Sequence, residues 1–112
     1  MKPTILFVDD EPKILSTLKR MFIRDAEVML ANEGPMALEI LQRNSVDVVV
    51  CDQRMPDMTG IEVLRAAREI SPNTVRIVLT GYADLEAAIA AVNQGEVYRY
   101  VNKPWSNEEL LV

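Results

Sequence analysis

The chain has 112 residues, of which 49% are hydrophobic and 26% charged, so it fits one small domain with its own core. Its net charge of −5 argues against direct nucleic-acid binding, which needs clustered lysines and arginines. It contains no histidine and one cysteine, Cys51, which excludes Ser-His-Asp and Cys-His catalysis, a phosphohistidine and an internal disulfide. The single cysteine predicts a reducing, cytoplasmic location, and the apolar run at 5–8 is too short for a signal peptide or membrane span.

Apolar runs alternate with amphipathic segments from one end of the chain to the other. Strands are predicted at 5–8, 28–31, 46–51, 75–79 and 97–101, the last with the alternating pattern of an edge strand. The intervening helices begin at Pro12, at Gly34 and at Gly60, and the fourth follows Asp84 as N-cap. Its apolar positions are Leu85, Ala88, Ile89 and Val92, and Gly95 is placed to end it.

A last helix is predicted from Ser106, which forms a capping-box pattern with Glu109, and it is cut at residue 112. Continuous Val/Ile/Leu strands between amphipathic helices predict a (βα)5 fold, with a parallel sheet covered on both faces. We expect residues 1–112 to form a single domain.

Reactive groups stand at the carboxyl ends of the predicted strands, where open α/β sheets bind their ligands. They are Asp9 and Asp10 after the first strand, Asp52 after the third, Thr80 after the fourth and Lys103 after the fifth. Three neighbouring carboxylates repel one another unless a cation neutralises them, and an all-oxygen ligand set suits Mg²⁺. An acid beside Mg²⁺, a hydroxyl and a lysine is suited to phosphoryl transfer onto the acid.

Four segments carry these groups: VDD at 8–10, CDQRMPDMTG at 51–60, LTGY at 79–82 and YVNKPW at 100–105. Together they resemble the receiver domain of two-component response regulators. The resemblance covers nearly the whole chain and implies a flavodoxin-like sheet in the strand order 2-1-3-4-5.

The resemblance implies a role for each matching residue. Asp52 matches the phosphoacceptor, and Asp10 and the Arg54 carbonyl match groups that bind Mg²⁺ beside it, for which Mn²⁺ could substitute. Asp9 matches the neighbouring acid, which usually holds the metal through bound water. Thr80 and Lys103 match the groups that contact the phosphoryl group, and Thr80 with Tyr100 forms the conformational switch. The Lys103–Pro104 bond matches one that is typically cis in the family.

The implied function is a switch driven by charge. A histidine kinase or phosphotransfer protein phosphorylates Asp52, and the surface of the fourth helix and fifth strand changes to control an output domain or separate effector. Hydrolysis resets the domain. The chain is expected to be the N-terminal part of a longer regulator, and a homodimer through that surface stays open. No membrane partner is expected.

Three further positions bear on the environment of the acceptor. Gln53 is polar where the family more often has an aliphatic residue, and we expect it to be only partly buried. Arg54 and Tyr82 occupy positions that flank the phosphoryl group in the family, which leads to the hypothesis that they shield the site and set the dephosphorylation rate.

Two other functions fit parts of the pattern. A receiver-like interaction module would never take up phosphate, although such modules usually lack one of the acids, the threonine or the lysine. A haloacid-dehalogenase-type phosphohydrolase would carry its Asp-x-Asp motif after the first strand, where this chain has adjacent Asp9 and Asp10. Taken singly, Asp9 and Asp10 could instead cap the first helix, and Lys103 could be a solvated charge.

Overall fold

Strands and helices alternate in the computed structural model, which describes residues 2–81 and 84–103. Their order is β1 (Thr4–Val8), α1 (Pro12–Phe22), β2 (Glu27–Ala31), α2 (Gly34–Arg43), β3 (Val48–Asp52), α3 (Gly60–Ile70), β4 (Val75–Thr80), α4 (Leu85–Asn93) and β5 (Arg99–Asn102). The predictions for Tyr82, for the Lys103–Pro104 bond and for a helix from Ser106 lie outside the described residues.

The five strands form one parallel sheet in the order β2-β1-β3-β4-β5. The predicted flavodoxin-like order is therefore confirmed. β5 lies at an edge of the sheet, as its alternating pattern predicted. β3 begins two residues later than predicted and ends one residue later, because Asp52 itself pairs with Leu79 of β4. The acid is thus held in the sheet rather than in the loop that follows.

Each strand contributes alternate side chains to two cores, one on each face of the sheet. Leu6 and Val8 of β1 pack in the core beneath α2, α3 and α4. Ile5 and Phe7 pack in the other core, where Phe7 and Phe22 of α1 place their ring centroids 5.4 Å apart. Burial on both faces explains why the strands are continuous apolar runs.

α4 differs from its predicted orientation. Ala88 and Ala91 are buried, whereas Ile89 is 40% exposed, so the expectation that Ile89 belongs to the apolar face is wrong. α4 is apolar on most of its circumference, and such a sequence does not fix which side meets the sheet. Small alanines allow the closest approach. The turn after α4 is as predicted, because Gly95 adopts φ +75°, a conformation that favours glycine.

No helix among residues 2–81 and 84–103 combines the length and the apolar character needed to cross a bilayer.

Candidate functional site

The carboxyl ends of β1 and β3 lie side by side, because Val8 pairs with Cys51 in the parallel register. Asp9 therefore follows β1 next to Asp52, the last residue of β3. One carboxylate oxygen from each of Asp9, Asp10 and Asp52 lies within 4.8 Å of the other two. Asp9 and Asp52 are buried and Asp10 is exposed. The structure thus brings together the three acids that the sequence predicted at one crevice.

Asp9 has an incompletely satisfied carboxylate. Its Oδ1 accepts a hydrogen bond from the Glu11 backbone N–H at 2.9 Å. Its Oδ2 is buried and has no hydrogen-bond partner in the part of the chain that the structure describes. Burial is the main cause that raises the pKa of Asp9 to about 6, and the carboxylates of Asp52 and Asp10 add to it against the opposing Glu11 bond. The crevice is therefore short of positive charge.

Lys103 supplies one cation at this crevice. Its backbone N–H donates to the Thr80 carbonyl at 3.0 Å, which fixes the residue directly beyond β5. Its Nζ donates to Asp52 Oδ1, and the two groups form an ion pair. Burial still raises the pKa of Asp52, because loss of hydration outweighs the charge and hydrogen bond of the lysine. The Lys103 ammonium therefore contacts Asp52, the acid predicted from the sequence to be the phosphoacceptor.

Thr80 and Tyr100 lie at the same end of the sheet without touching the acids through a hydrogen bond in the described residues. Thr80 is buried as the last residue of β4, and its hydroxyl donates to the Gly81 carbonyl at 3.2 Å. Tyr100 of β5 pairs with Val78 and is half-buried against the core beneath α4. Tyr100 therefore lies on the same face of the sheet as Thr80, because Val78 and Thr80 are two residues apart in β4.

Arg54 extends away from the acid cluster and across to the start of α4. Its Nε donates to Asp84 Oδ2 at 2.9 Å, and the guanidinium is largely exposed. Asp84 occupies the N-cap position of α4 as predicted, but its side chain makes no capping hydrogen bond there. The contact raises the pKa of Arg54. Sequence reasoning missed this partnership, since a separation of 30 residues leaves no local signal.

Gln53 is buried, so the expectation of partial exposure is wrong. It is 7% exposed, and its Oε1 accepts a hydrogen bond from the Ile61 backbone N–H at 2.9 Å. Ile61 lies in the first turn of α3, and a capping box between Thr59 and Glu62 also stabilises the start of this helix. The box had a sequence signal, a threonine followed by glutamate three residues on, that the sequence predictions left unused.

The residues present fit a hard divalent cation. The atoms that could bind a metal are all oxygens, which Mg²⁺ prefers. Among them, the buried Asp9 Oδ2 accepts no hydrogen bond from the described residues and so has lone pairs free for a cation. A haloacid-dehalogenase arrangement does not fit as well, because its nucleophile would follow β1. Here Lys103 instead contacts Asp52, which lies at the end of β3.

Comparison with known proteins agrees with this geometry. A family model described as the response regulator receiver domain matches residues 5–112. The hydrogenase transcriptional regulatory protein HoxA of Cupriavidus necator is 42% identical over 108 residues, which are 96% of this chain and 22% of that protein. The chain thus spans less than a quarter of the length of this curated relative.

Solved structures give the same result. A crystal structure described as an adenylate cyclase from Rhodopirellula baltica is 43% identical with a TM-score of 0.94, covering 98% of this chain and 82% of that one. A response regulator receiver domain from Clostridium thermocellum is 37% identical with a TM-score of 0.90, covering 96% and 87%. Sheet order, acid cluster and family match therefore agree, and the chain belongs to the receiver domains of two-component response regulators, a family of phosphoacceptor signalling domains.

Proposed function

We propose that this receiver accepts a phosphoryl group on Asp52 from the phosphohistidine of a kinase or phosphotransfer protein. The observation that carries the proposal is the position of the Asp52 carboxylate. It is fixed at the end of a buried strand, bonded to Lys103, and within 4.8 Å of the Asp9 and Asp10 carboxylates. No other acid of the described residues combines a lysine partner with this surrounding charge.

The chemistry requires an ionised Asp52. One carboxylate oxygen forms a bond to phosphorus while the phosphorus–nitrogen bond of the donor breaks and the electron pair stays on the departing imidazole. The Lys103 ammonium, which forms an ion pair with Asp52, offsets the negative charge of the phosphoryl group during transfer. Asp9, Asp10, Asp52 and the Arg54 carbonyl would hold Mg²⁺, with Mn²⁺ as a substitute, to supply the remaining positive charge.

The signal then passes to α4 and β5. Thr80 donates only to the adjacent Gly81 carbonyl, a local contact that costs little to exchange for a phosphoryl oxygen. Movement of Thr80 frees space on the face of the sheet where Tyr100 is half-buried. The two side chains together would shift the population of the domain toward a second conformation.

Resetting is proposed to be hydrolysis of the acyl phosphate, at a rate set by Arg54 and Tyr82. Arg54 supports this assignment because it follows the acceptor by two residues, and because it lines the same pocket as Asp10 and its own partner Asp84. Arg54→Ala and Tyr82→Ala should change the rate of phosphoryl loss. If both variants lose the label at the wild-type rate, the assignment is wrong.

The larger setting is also a proposal. Because the HoxA relative is over four times as long, we place residues 1–112 as the N-terminal receiver of a longer regulator. Its partners would be a kinase or phosphotransfer protein and an output domain or separate effector, with a homodimer through α4 and β5 as one mode of action. The cytoplasmic location and the absence of direct nucleic-acid or membrane binding belong to the same proposal.

The test is phosphorylation by a small donor, such as acetyl phosphate with MgCl₂, followed by intact-protein mass spectrometry. Wild type should gain one phosphoryl group, Asp52→Asn should gain none, and Asp57→Asn, an exposed acid in the next loop, should behave as wild type. If wild type gains no mass and matches Asp52→Asn, the interaction-module alternative is favoured instead. Turnover of a generic phosphate ester would favour the phosphohydrolase.

A further inference from the structure

Gln53 makes a contact that the family resemblance does not assign. It follows Asp52 directly, and three of its polar groups take part in hydrogen bonds. Its N–H donates to the Leu79 carbonyl at 3.0 Å, and its carbonyl accepts from the Gly60 N–H at 3.0 Å. Any residue could make these two backbone bonds. The bond from the Ile61 N–H to Gln53 Oε1, at 2.9 Å and buried, needs a side-chain acceptor of this length.

These bonds fasten the start of α3. The first N–H groups of a helix have no partner inside it and must find acceptors elsewhere. Gln53 accepts from the first two, at Gly60 and Ile61, and the Thr59 hydroxyl accepts from the third, at Glu62. One residue next to the acceptor therefore satisfies two of these N–H groups, and its side chain alone satisfies the buried one of Ile61.

The start of α3 also lies in close contact with the backbone of Asp52. A Cβ at Gly60 would lie 2.4 Å from the Asp52 carbonyl oxygen and 3.0 Å from Gln53 Cα. At such distances there is no room for even one more carbon atom between α3 and the Asp52 backbone. A change in the position of α3 must therefore move Asp52, and also Arg54, which stands in the same short loop.

We propose that Gln53 is a positioning residue whose side-chain amide sets α3 against Asp52, so that the acceptor carboxylate and the Arg54 carbonyl are aligned for a divalent cation. The proposal rests on the proposed function of the acid cluster. Groups that orient metal ligands without touching the metal often control affinity strongly. An aliphatic side chain of equal volume would fill the space but leave the Ile61 N–H without an acceptor.

Gln53→Met tests the proposal, because methionine is unbranched and of similar length but lacks the amide oxygen. Gln53→Leu is a second variant in case the first does not fold. Thr59→Ala is the matched control, since it removes from the same helix a capping acceptor that has no hydrogen bond to Asp52 or Gln53 among the described residues. Circular dichroism and urea unfolding establish that each variant is folded.

The readout is the Mg²⁺ concentration at half-saturation, measured by amide chemical shifts on the intact chain. Loss of the Gln53 amide should raise it about tenfold or more. Thr59→Ala should lower stability but leave the Mg²⁺ concentration at half-saturation within about twofold. The reason is that the Glu62 N–H, which loses its acceptor, has no bond to Gln53 or Asp52 among the described residues. A purely structural role would move both variants together, so equal shifts would overturn the proposal. Folded Gln53 variants with wild-type Mg²⁺ affinity would overturn it too.

Phosphorylation by acetyl phosphate separates this proposal from the proposed function. At saturating Mg²⁺ the Gln53 variants should approach the wild-type rate, and at low Mg²⁺ they should be slower. If wild type binds Mg²⁺ but takes no phosphoryl group, the proposed function fails while the positioning role is still decided by the titration. If wild type binds no Mg²⁺, the positioning proposal fails as well.

Discussion

Replacing Asp9 by asparagine should stabilise the metal-free protein at neutral pH. Asp9 is 2% exposed, and one of its oxygens has no partner among the described residues. Asparagine keeps an oxygen that can accept from the Glu11 N–H but removes a charge that burial and two nearby carboxylates disfavour. The protein would then be more stable in the absence of divalent cations, and the acid cluster would be less able to bind one.

The magnitude follows from the pKa of Asp9, which rises from an ordinary 3.8 to about 6 on folding. The folded protein binds more protons than the unfolded chain between these two values, so its stability falls as pH rises through that window. At 1.36 kcal/mol per pH unit, the full penalty above about pH 6 is at most about 3 kcal/mol. Below 3.8 both states are protonated and the penalty is absent.

Urea unfolding in EDTA, between about pH 4 and pH 8, measures this difference. The advantage of Asp9→Asn should be small at the acid end and grow to about 1–3 kcal/mol at the alkaline end. Asp25→Asn, an exposed acid far from the site, is the control and should stay within about 0.5 kcal/mol of wild type. Added Mg²⁺ should stabilise wild type more than Asp9→Asn. An Asp9→Asn protein less stable than wild type at pH 8, or a difference independent of pH, would refute the reasoning.

Three other substitutions test neighbouring features. Gly60→Ala should lower stability by about 1–3 kcal/mol and slow phosphorylation, because its Cβ cannot fit 2.4 Å from the Asp52 carbonyl oxygen; unchanged unfolding and labelling would contradict this. Lys103→Met should raise the pKa of Asp52 further and move the pH profile of phosphorylation by acetyl phosphate to higher pH, and an unmoved profile would count against the ion pair. Phe22→Ala should cost about 3–5 kcal/mol in urea unfolding, because its buried ring packs on Phe7, and a loss under 1 kcal/mol would argue against that packing.

Much of the fold and of the acid cluster follows from the sequence, because both depend on regular patterns. Buried strands alternate with amphipathic helices, and parallel strands necessarily place Asp9 and Asp52 at one edge of the sheet. The burial of Gln53 does not follow from the sequence, because its amide oxygen accepts from a backbone N–H of α3, and burial of a polar side chain depends on such a partner rather than on the residue type.

The contacts of exposed or uniformly apolar segments could not be predicted in this way. The Arg54–Asp84 pair joins two loops whose spacing depends on the packing of whole helices. The sequence does not show that Ile89 faces outward, because apolar residues cover most of the circumference of α4 and the period of the pattern therefore does not identify the buried side. Both the ion pair and the buried side of α4 are determined only when the helices pack on the sheet.

The seating of α4 has a consequence for how easily this helix separates from the rest of the domain. Its buried residues are Ala88 and Ala91, which remove far less apolar surface from water than Val63 and Leu64 do in α3. Detaching α4 should therefore require much less free energy than unfolding the sheet, so its amides should exchange with deuterium well before those of α3. A helix held this loosely would need few new hydrogen bonds to change its position, which is consistent with the proposed phosphorylation of Asp52 as its trigger.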